Sequence, residues 1–150
     1  VSGLRVAAEN LVAESGGHQQ VAGRAVKKRY IAILDGIPKE KEGIISLPLC
    51  LNVNNSPEQI VNQTYGKEAI TRYKVVESIE NRTRIEFYPL TGRTHQLRVH
   101  ASHKNGLNCP IVGDSLYGKM AERLMLHSEM IEFKHPTTGK IVHFEIVADF

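Results

Sequence analysis

A stretch of ten residues in the middle of the chain carries an unusually dense set of polar side chains. It runs from Thr91 to His100, reads TGRTHQLRVH, and contains two arginines, two histidines and a glutamine. An arginine can hold a carboxylate or a phosphate through two parallel hydrogen bonds. The chemistry that these residue types favour is therefore a fixed cationic site for an anionic group, although two surface arginines can also be solvated charges that contribute little.

The elements around this stretch are predicted from its flanks. Residues 84–88, RIEFY, indicate a half-buried strand that leads into a surface turn at Gly92. Thr94 is a residue type that caps helices, and a helix is predicted from Thr94 to Lys104. The dense stretch is thus expected at a junction between a turn and a helix.

Such a helix would present two different faces. Leu97 and Ala101 are four residues apart and are predicted to face the core. His95 and Arg98 are three apart and would share another face, from which they can address one bound group together.

The string from Gly92 to His100 resembles the third signature of the RluA family of pseudouridine synthases, which convert uridine to pseudouridine in structured RNA. Other segments resemble further stretches of that family, in the family's order, along nearly the whole chain. They are residues 27–32, 66–73, 109–118, 124–127, 135–136 and 139–150. Several ordered matches are much more specific than any one motif.

The resemblance implies a role for each candidate site residue. Tyr30 would stack on the target base, and Arg98 would pair with the family's nucleophilic aspartate. Leu97 would pack beneath the base or the arginine, while Arg93, His95 and Gln96 would contact the RNA backbone or fix the motif. The structural alternatives are a tyrosine at a core edge, a structural ion pair and an ordinary core leucine.

The nucleophile itself is expected before the first residue. The family string is His-Arg-Leu-Asp-x-x-Thr-Ser-Gly, and the chain opens Val1-Ser2-Gly3-Leu4, with Val1 in place of the threonine. The aspartate would precede Val1 by three residues, so we expect residues 1–150 to be a catalytic domain truncated on its N-terminal side, and to be inactive alone. Asp35, Asp114 and Asp149 lie in other segments, and Asp114 is expected to tie a turn.

Arg98 would then lack its partner. Removing one member of a buried ion pair is costly. We therefore expect the arginine either to open to water or to take another carboxylate or anion.

Composition and charge set broader limits. The chain has 150 residues, of which 41% are hydrophobic and 23% charged, which is typical of one soluble globular domain. A net charge of +3 allows a polyanionic partner without requiring one. The basic run of Arg24, Lys27, Lys28 and Arg29 predicts a phosphate-facing side.

Cysteines, histidines and apolar runs indicate no further class of site. Cys50 and Cys109 form no disulfide or metal pattern, which predicts reduced thiols in the cytoplasm. The histidines at 95, 100 and 103 have no cysteine or carboxylate among them, so no metal is expected. No membrane segment is predicted, the resemblance implies no cofactor, and the oligomeric state stays open.

Strand patterns dominate the rest of the chain. Strands are predicted at residues 4–8, 29–35, 44–47, 68–78, 82–88, 130–134 and 140–147, with turns at Glu80-Asn81 and at residues 136–139. A partly helical crossing should fill the segment up to Val26, and residues 52–62 are expected to be a polar excursion. This predicts an α+β fold with a mainly antiparallel mixed sheet and a few flanking helices, in agreement with the pseudouridine synthase-like fold that the resemblance implies.

The function expected from these features is that of an RNA pseudouridine synthase acting on ribosomal or transfer RNA. One alternative is a non-catalytic RNA-binding protein on the same scaffold, and only the residues before Val1 distinguish the two. A small-anion binding module that uses Arg93 and Arg98 is a third interpretation.

Overall fold

The computed structural model describes residues 1–3 and 26–150. The strand predicted at residues 4–8, the partly helical crossing after it and Arg24 lie outside the described residues. The elements within them are β1 (Ser2–Gly3), β2 (Lys27–Asp35), β3 (Glu42–Ser46), β4 (Leu49–Leu51), β5 (Gln59–Val61), β6 (Ile70–Ile79), β7 (Arg82–Pro89), α1 (Gln96–Ser102), β8 (Leu126–Lys134) and β9 (Ile141–Glu145).

One large sheet organises the part of the chain that the structure describes. Seven strands form it in the order β1-β8-β2-β7-β6-β3, with β9 also paired to β8. The β1–β8 pair is parallel and all the other pairs are antiparallel. The prediction of an α+β fold with a mainly antiparallel mixed sheet is confirmed.

Both predicted hairpins are present. Glu80 and Asn81 join β6 to β7 with φ angles of 50° and 64°, the left-handed conformation that a tight hairpin turn requires. The connection between β8 and β9 covers residues 135–140. Residues 52–62, expected to be a polar excursion, also contain β5, which was not predicted and which pairs with β4 in a separate two-stranded sheet.

The core lies between the sheet and α1. Leu34 of β2 and both Ile85 and Phe87 of β7 are fully buried. They belong to one apolar cluster with Leu97 and Ala101 of α1, so the predicted inward face of the helix is confirmed. Helix and sheet are therefore held together directly behind the polar stretch.

The first strand is fixed on β8 by close contacts. Gly3 has φ +105°, and a Cβ atom there would lie 2.0 Å from the carbonyl oxygen of Ser128, so only glycine fits. The Ser2 hydroxyl and His127 Nδ1 are hydrogen bonded at 2.7 Å, and His127 Nε2 donates to the carbonyl of Ile146. Val1 is consequently held at the same end of the sheet as the polar stretch.

No helix in residues 1–3 and 26–150 combines the length and the apolar character needed to cross a membrane.

Candidate functional site

An open cleft of about 520 Å³ lies at the start of β2, beside the turn between β7 and α1. All the candidate site residues line it: Tyr30, Arg93, His95, Gln96, Leu97 and Arg98. The other described residues that line it are Val1, Lys28, Pro89, Thr91, Gly92, Thr94, Leu124 and Leu126. None of these described lining residues is acidic, so the cleft is suited to an anionic ligand.

Arg98 is anchored by Asp114. Its Nε donates to Oδ2 at 2.9 Å and its Nη2 donates to Oδ1 at 2.7 Å, and the Asp114 side chain is completely buried. Of the two outcomes expected for Arg98, the structure shows the second, since the arginine has taken another carboxylate.

Asp114 also ties a turn, as predicted. Its Oδ1 accepts hydrogen bonds from the backbone N–H groups of Leu116 and Tyr117, both at 3.1 Å. Burial acts to raise the pKa of Asp114, but the hydrogen bonds from Arg98 and Tyr117 outweigh it and hold the pKa below its ordinary value. The hydrogen bond between Arg98 and Asp114 also raises the pKa of Arg98. The pair is therefore ionised and rigid.

Arg98 keeps hydrogen-bonding capacity toward the cleft. A guanidinium group has five N–H bonds, and Asp114 takes one from Nε and one from Nη2. Because Arg98 also lines the cleft, its remaining N–H groups can address a second anion there.

His95 and Arg98 meet at Tyr117. The His95 Nδ1 and the Tyr117 hydroxyl are 2.8 Å apart, and the Arg98 guanidinium carbon lies 5.2 Å from the centre of the Tyr117 ring. Burial lowers the pKa of His95, and the positive charge of Arg98 lowers it to a smaller extent. The neutral imidazole is therefore favoured. The backbone N–H of Gln59 donates to the Tyr117 oxygen, so we assign the tyrosine proton to His95 Nδ1 and the ring proton to Nε2.

The prediction that Thr94 caps the helix is wrong. The helix begins at Gln96, and the cap residue is His95, in the left-handed region at φ 55° and without a side-chain capping hydrogen bond. This backbone turn brings the His95 ring to Tyr117 and leaves Thr94 exposed at the cleft.

Gln96 fastens the polar stretch to the sheet. Its Oε1 accepts from the Thr91 hydroxyl at 2.7 Å and from the Arg93 backbone at 3.0 Å. Its Nε2 donates to the Ile70 carbonyl at 3.0 Å and to Thr71 Oγ1 at 2.9 Å. Of the two roles expected for Gln96, these contacts favour fixing the motif over contacting RNA.

The hydrogen-bonded chain continues into the core through His100. Thr71 Oγ1 is 2.8 Å from His100 Nδ1, and His100 Nε2 donates to the carbonyl of Leu47 at 3.0 Å. Because Thr71 accepts from Gln96, its own proton goes to Nδ1, which assigns a neutral His100 protonated at Nε2. Burial lowers the pKa of His100 in keeping with this assignment.

Arg93 and Leu97 have less constrained surroundings. Arg93 is exposed, and its Nε donates to the Glu68 carbonyl at 2.7 Å. Leu97 is only 7% exposed and belongs both to the core cluster and to the cleft wall. The core role is confirmed, and a role beneath a bound base stays a prediction.

Lys28 was predicted only as a member of the basic run, and the structure places it in the cleft beside Tyr30. It precedes Tyr30 by two positions, so both side chains lie on the same face of β2 and line the cleft. A Cβ atom on Gly92 would be 3.3 Å from Lys28 Nζ, which places the ammonium group against the β7–α1 turn. Burial lowers its pKa, and no carboxylate in the described residues pairs with it.

The two neighbouring basic residues point elsewhere. Lys27 Nζ lies 3.9 Å from Glu132, and Arg29 pairs with Glu129 at 3.0 Å and also with Glu145. The prediction that the whole basic run faces phosphate is therefore wrong for Lys27 and Arg29, because strand alternation carries them to the opposite, acidic face. The same alternation, read two residues back from Tyr30, would have identified Lys28.

Known proteins match this chain over most of its length. The family model described as RNA pseudouridylate synthase matches residues 1–103. The dual-specificity RNA pseudouridine synthase RluA of Escherichia coli strain K12 is 41% identical over 155 aligned positions, which cover 99% of this chain and 69% of that protein. The protein of the same name from Vibrio cholerae is 38% identical, over 99% of this chain and 62% of its own length.

Two solved human structures share the fold. RNA Pseudouridylate Synthase Domain Containing 1 superposes with a TM-score of 0.73 and 29% identity, over 95% of this chain and 59% of that one. RNA Pseudouridylate Synthase Domain Containing 4 superposes with a TM-score of 0.66 over 83% of this chain and 58% of that one, at 24% identity, and supports the fold alone.

Proposed function

This chain belongs to the RNA pseudouridylate synthase family, and from that premise we propose that the protein isomerises uridine to pseudouridine in ribosomal or transfer RNA, with the cleft as its active site. The observation that carries the proposal is the convergence of Tyr30 from β2 and Arg98 from α1 on one cleft without acidic lining among the described residues. In the reaction the bond from the ribose to N1 of uracil breaks, the base turns, and a bond from the ribose to C5 forms. The hydrogen on C5 leaves as a proton and N1 gains a proton, so the product is an isomer of uridine. No atom is gained from a cofactor.

Tyr30 is proposed to hold the target base. Enzymes that act on a base inside structured RNA must lift it out of its stack. The aromatic ring of Tyr30 lines the cleft and offers a stacking surface for the lifted base. Leu97 also lines the cleft and supplies an apolar support for the base.

An aspartate three residues before Val1 is proposed as the nucleophile. Val1 lines the cleft, and β1 is fixed on β8. Three extended residues span at most about 10 Å, so such a carboxylate can lie in the cleft beside Arg98. The N–H groups of Arg98 that Asp114 leaves unused would keep the nucleophile ionised and oriented.

The RNA partner is supported by the charge of the cleft, since Lys28, Arg93 and Arg98 line it and can face phosphate groups. A cytoplasmic location is part of the same proposal, and it is supported by the unpaired state of Cys50 and Cys109.

Tritium release tests the proposal. Ribosomal and transfer RNA, labelled with tritium at C5 of uridine, is prepared from a strain that lacks the gene, and is incubated with the protein expressed from its complete gene. We expect tritium release from that protein and none from residues 1–150 alone.

Substitution of the upstream aspartate by asparagine is the matched control, and it should abolish release. If the gene encodes no aspartate at that position and the protein binds RNA without releasing tritium, a non-catalytic RNA-binding role replaces this proposal.

A further inference from the structure

A second cavity, here called the side pocket, adjoins the cleft. It has a volume of about 330 Å³ and shares Gly92, Arg93 and Thr94 with the cleft. The β7–α1 turn therefore forms a common wall, with one cavity on each side. Both volumes fall within the range of roughly 300 to 1,000 Å³ that is usual for small-ligand sites.

The side pocket is built on the small β4–β5 sheet. Leu49, Cys50, Leu51 and Gln59 line one side of it. This sheet is tied to the cleft, because the backbone N–H of Gln59 donates to the Tyr117 hydroxyl that contacts His95. The two cavities thus belong to one connected structure.

Tyr65 and Lys67 also line the side pocket. Tyr65 is 80% exposed, and in the part of the chain that the structure describes its ring makes no aromatic or cation–π contact. Lys67 is exposed, two residues further on. A large aromatic surface and a cation thus stand in solvent at the edge of a cavity.

The backbone that carries these two side chains is held firmly. Asn62 Oδ1 accepts from the N–H groups of Thr64 and Tyr65, both at 2.9 Å, and Lys67 exchanges two backbone hydrogen bonds with Leu49. Gly66 lies between Tyr65 and Lys67, where a Cβ atom would be 2.3 Å from the carbonyl oxygen of Asn62. Only glycine permits this close approach, so the backbone that carries Tyr65 is fixed in one conformation.

The lining chemistry fits a nucleotide. The described lining of the side pocket contains Lys67 and Arg93 and no acidic residue. A tyrosine face beside cations is the arrangement on which single-stranded nucleic acid binds, with the base on the ring and the phosphate on the cation. This stacking is tolerant of base identity, because every base has a flat face.

We propose that the side pocket binds the RNA nucleotide next to the target uridine in the chain, with its base on Tyr65 and its phosphate near Lys67 and Arg93. The inference rests on the proposed function, because it takes the cleft to hold the target. The side pocket would then be a subsite that selects a neighbouring nucleotide because it is unpaired and lifted from its stack, and not because of the identity of its base.

The test is a binding cycle between protein variants and RNA variants. The probe is a synthetic hairpin RNA with an all-uridine loop, and a matched set carries an abasic ribose at each loop position in turn. We expect Tyr65→Ala to raise the Kd for the intact hairpin by roughly 5- to 100-fold and Tyr65→Phe to raise it by less than about 2-fold. Lys67→Ala should reduce the slope of log Kd against log salt by about 1.

The abasic set identifies the contact. At one loop position, an abasic ribose should weaken RNA binding by the wild-type protein. The same abasic ribose should not further weaken RNA binding by Tyr65→Ala, because both changes remove the same base–tyrosine stack. Val53→Ala is the control, since Val53 is 82% exposed on the β4–β5 connection and does not line the side pocket.

Three results would overturn the inference: wild-type affinity in Tyr65→Ala, independent effects at every abasic position, or no binding of the hairpin by the wild-type protein. Tritium release is measured in parallel on RNA from the gene-deleted strain. If the protein shows the expected binding cycle but releases no tritium, the side-pocket inference stands and the proposed function is wrong.

Discussion

Arg98 and Asp114 are joined by two hydrogen bonds across a separation of sixteen residues, and the aspartate is sealed from solvent. This pair makes the arginine a fixed part of the cleft wall. A nucleophilic carboxylate would therefore meet a guanidinium group that is already oriented, and would not have to order it.

Asp114→Asn is expected to damage both stability and turnover. It removes the buried countercharge that Arg98 has within residues 1–150, which should lower the free energy of unfolding by about 3 kcal/mol. Urea denaturation measures this. The control is Asp149→Asn, which removes an exposed pair with Arg123 and should cost less than about 1 kcal/mol. Equal losses in the two variants would contradict a special role for Asp114.

Gln96→Leu is expected to destabilise the fold by about 2 to 4 kcal/mol. It leaves the Thr91 hydroxyl and the Arg93 N–H without their acceptor and removes a donor to the buried Thr71 Oγ1, and each unsatisfied group costs about 1 to 3 kcal/mol. RNA affinity should then follow the folded fraction of the protein. If the folded variant binds RNA more weakly while its stability is unchanged, Gln96 contacts RNA directly.

Lys28→Met and Lys27→Met form a matched pair on adjacent positions of β2. Lys28 lines the cleft, whereas Lys27 is exposed on the other face near Glu132. We expect Lys28→Met to reduce the slope of log Kd against log salt by about 1, the contribution of one phosphate contact. Lys27→Met should leave this slope unchanged. Identical slopes for both variants would remove Lys28 from the RNA-binding surface.

Tyr30→Leu should lower kcat/KM by roughly 5- to 100-fold, because it removes a base-stacking surface worth about 1 to 3 kcal/mol. Tyr30→Phe keeps that surface and should bind RNA within about 2-fold of the wild-type affinity. Tyr88→Leu serves as the control, since Tyr88 packs against Arg72 and does not line the cleft. Full activity in Tyr30→Leu would refute the stacking role.

Stability should fall below neutral pH because of His100. Burial lowers its pKa in the folded protein, so the unfolded chain binds the proton more tightly, with a pKa of about 6.5. The contribution of neutral His100 is complete above that pH and is lost as the pH falls through the lowered folded value.

His100→Gln tests this explanation. Glutamine can still donate to the Leu47 carbonyl, so the variant should be less stable at pH 7 but should show a flatter decline in denaturant midpoint toward pH 5. An unchanged slope in His100→Gln would assign the decline to other groups.

The long strands of the sheet were predictable because their signals are local, whereas the candidate site residues came from the resemblance. Alternation gave the strands, and Glu80-Asn81 gave the central hairpin. The resemblance gathered Tyr30 and Arg98 into one site. The β4–β5 sheet was missed because each strand has three residues, too few for alternation to stand out from the polar segment between them.

The partner of Arg98 depended on tertiary structure. Nothing in the spacing of Arg98 and Asp114 indicates a contact, which arises because the turn after Ile111 brings Asp114 beneath α1. The start of the helix was misplaced for a similar reason. A left-handed His95 is unfavourable in isolation, and its contact with Tyr117 lies outside any sequence window.

The order of strands in the sheet has a consequence for biosynthesis. β8 lies between β1 and β2, so β1 has no place in the sheet until residues 126–134 have been synthesised and have left the ribosome. The wall of the cleft that includes Val1 is accordingly assembled after Tyr30 and Arg98 have been synthesised.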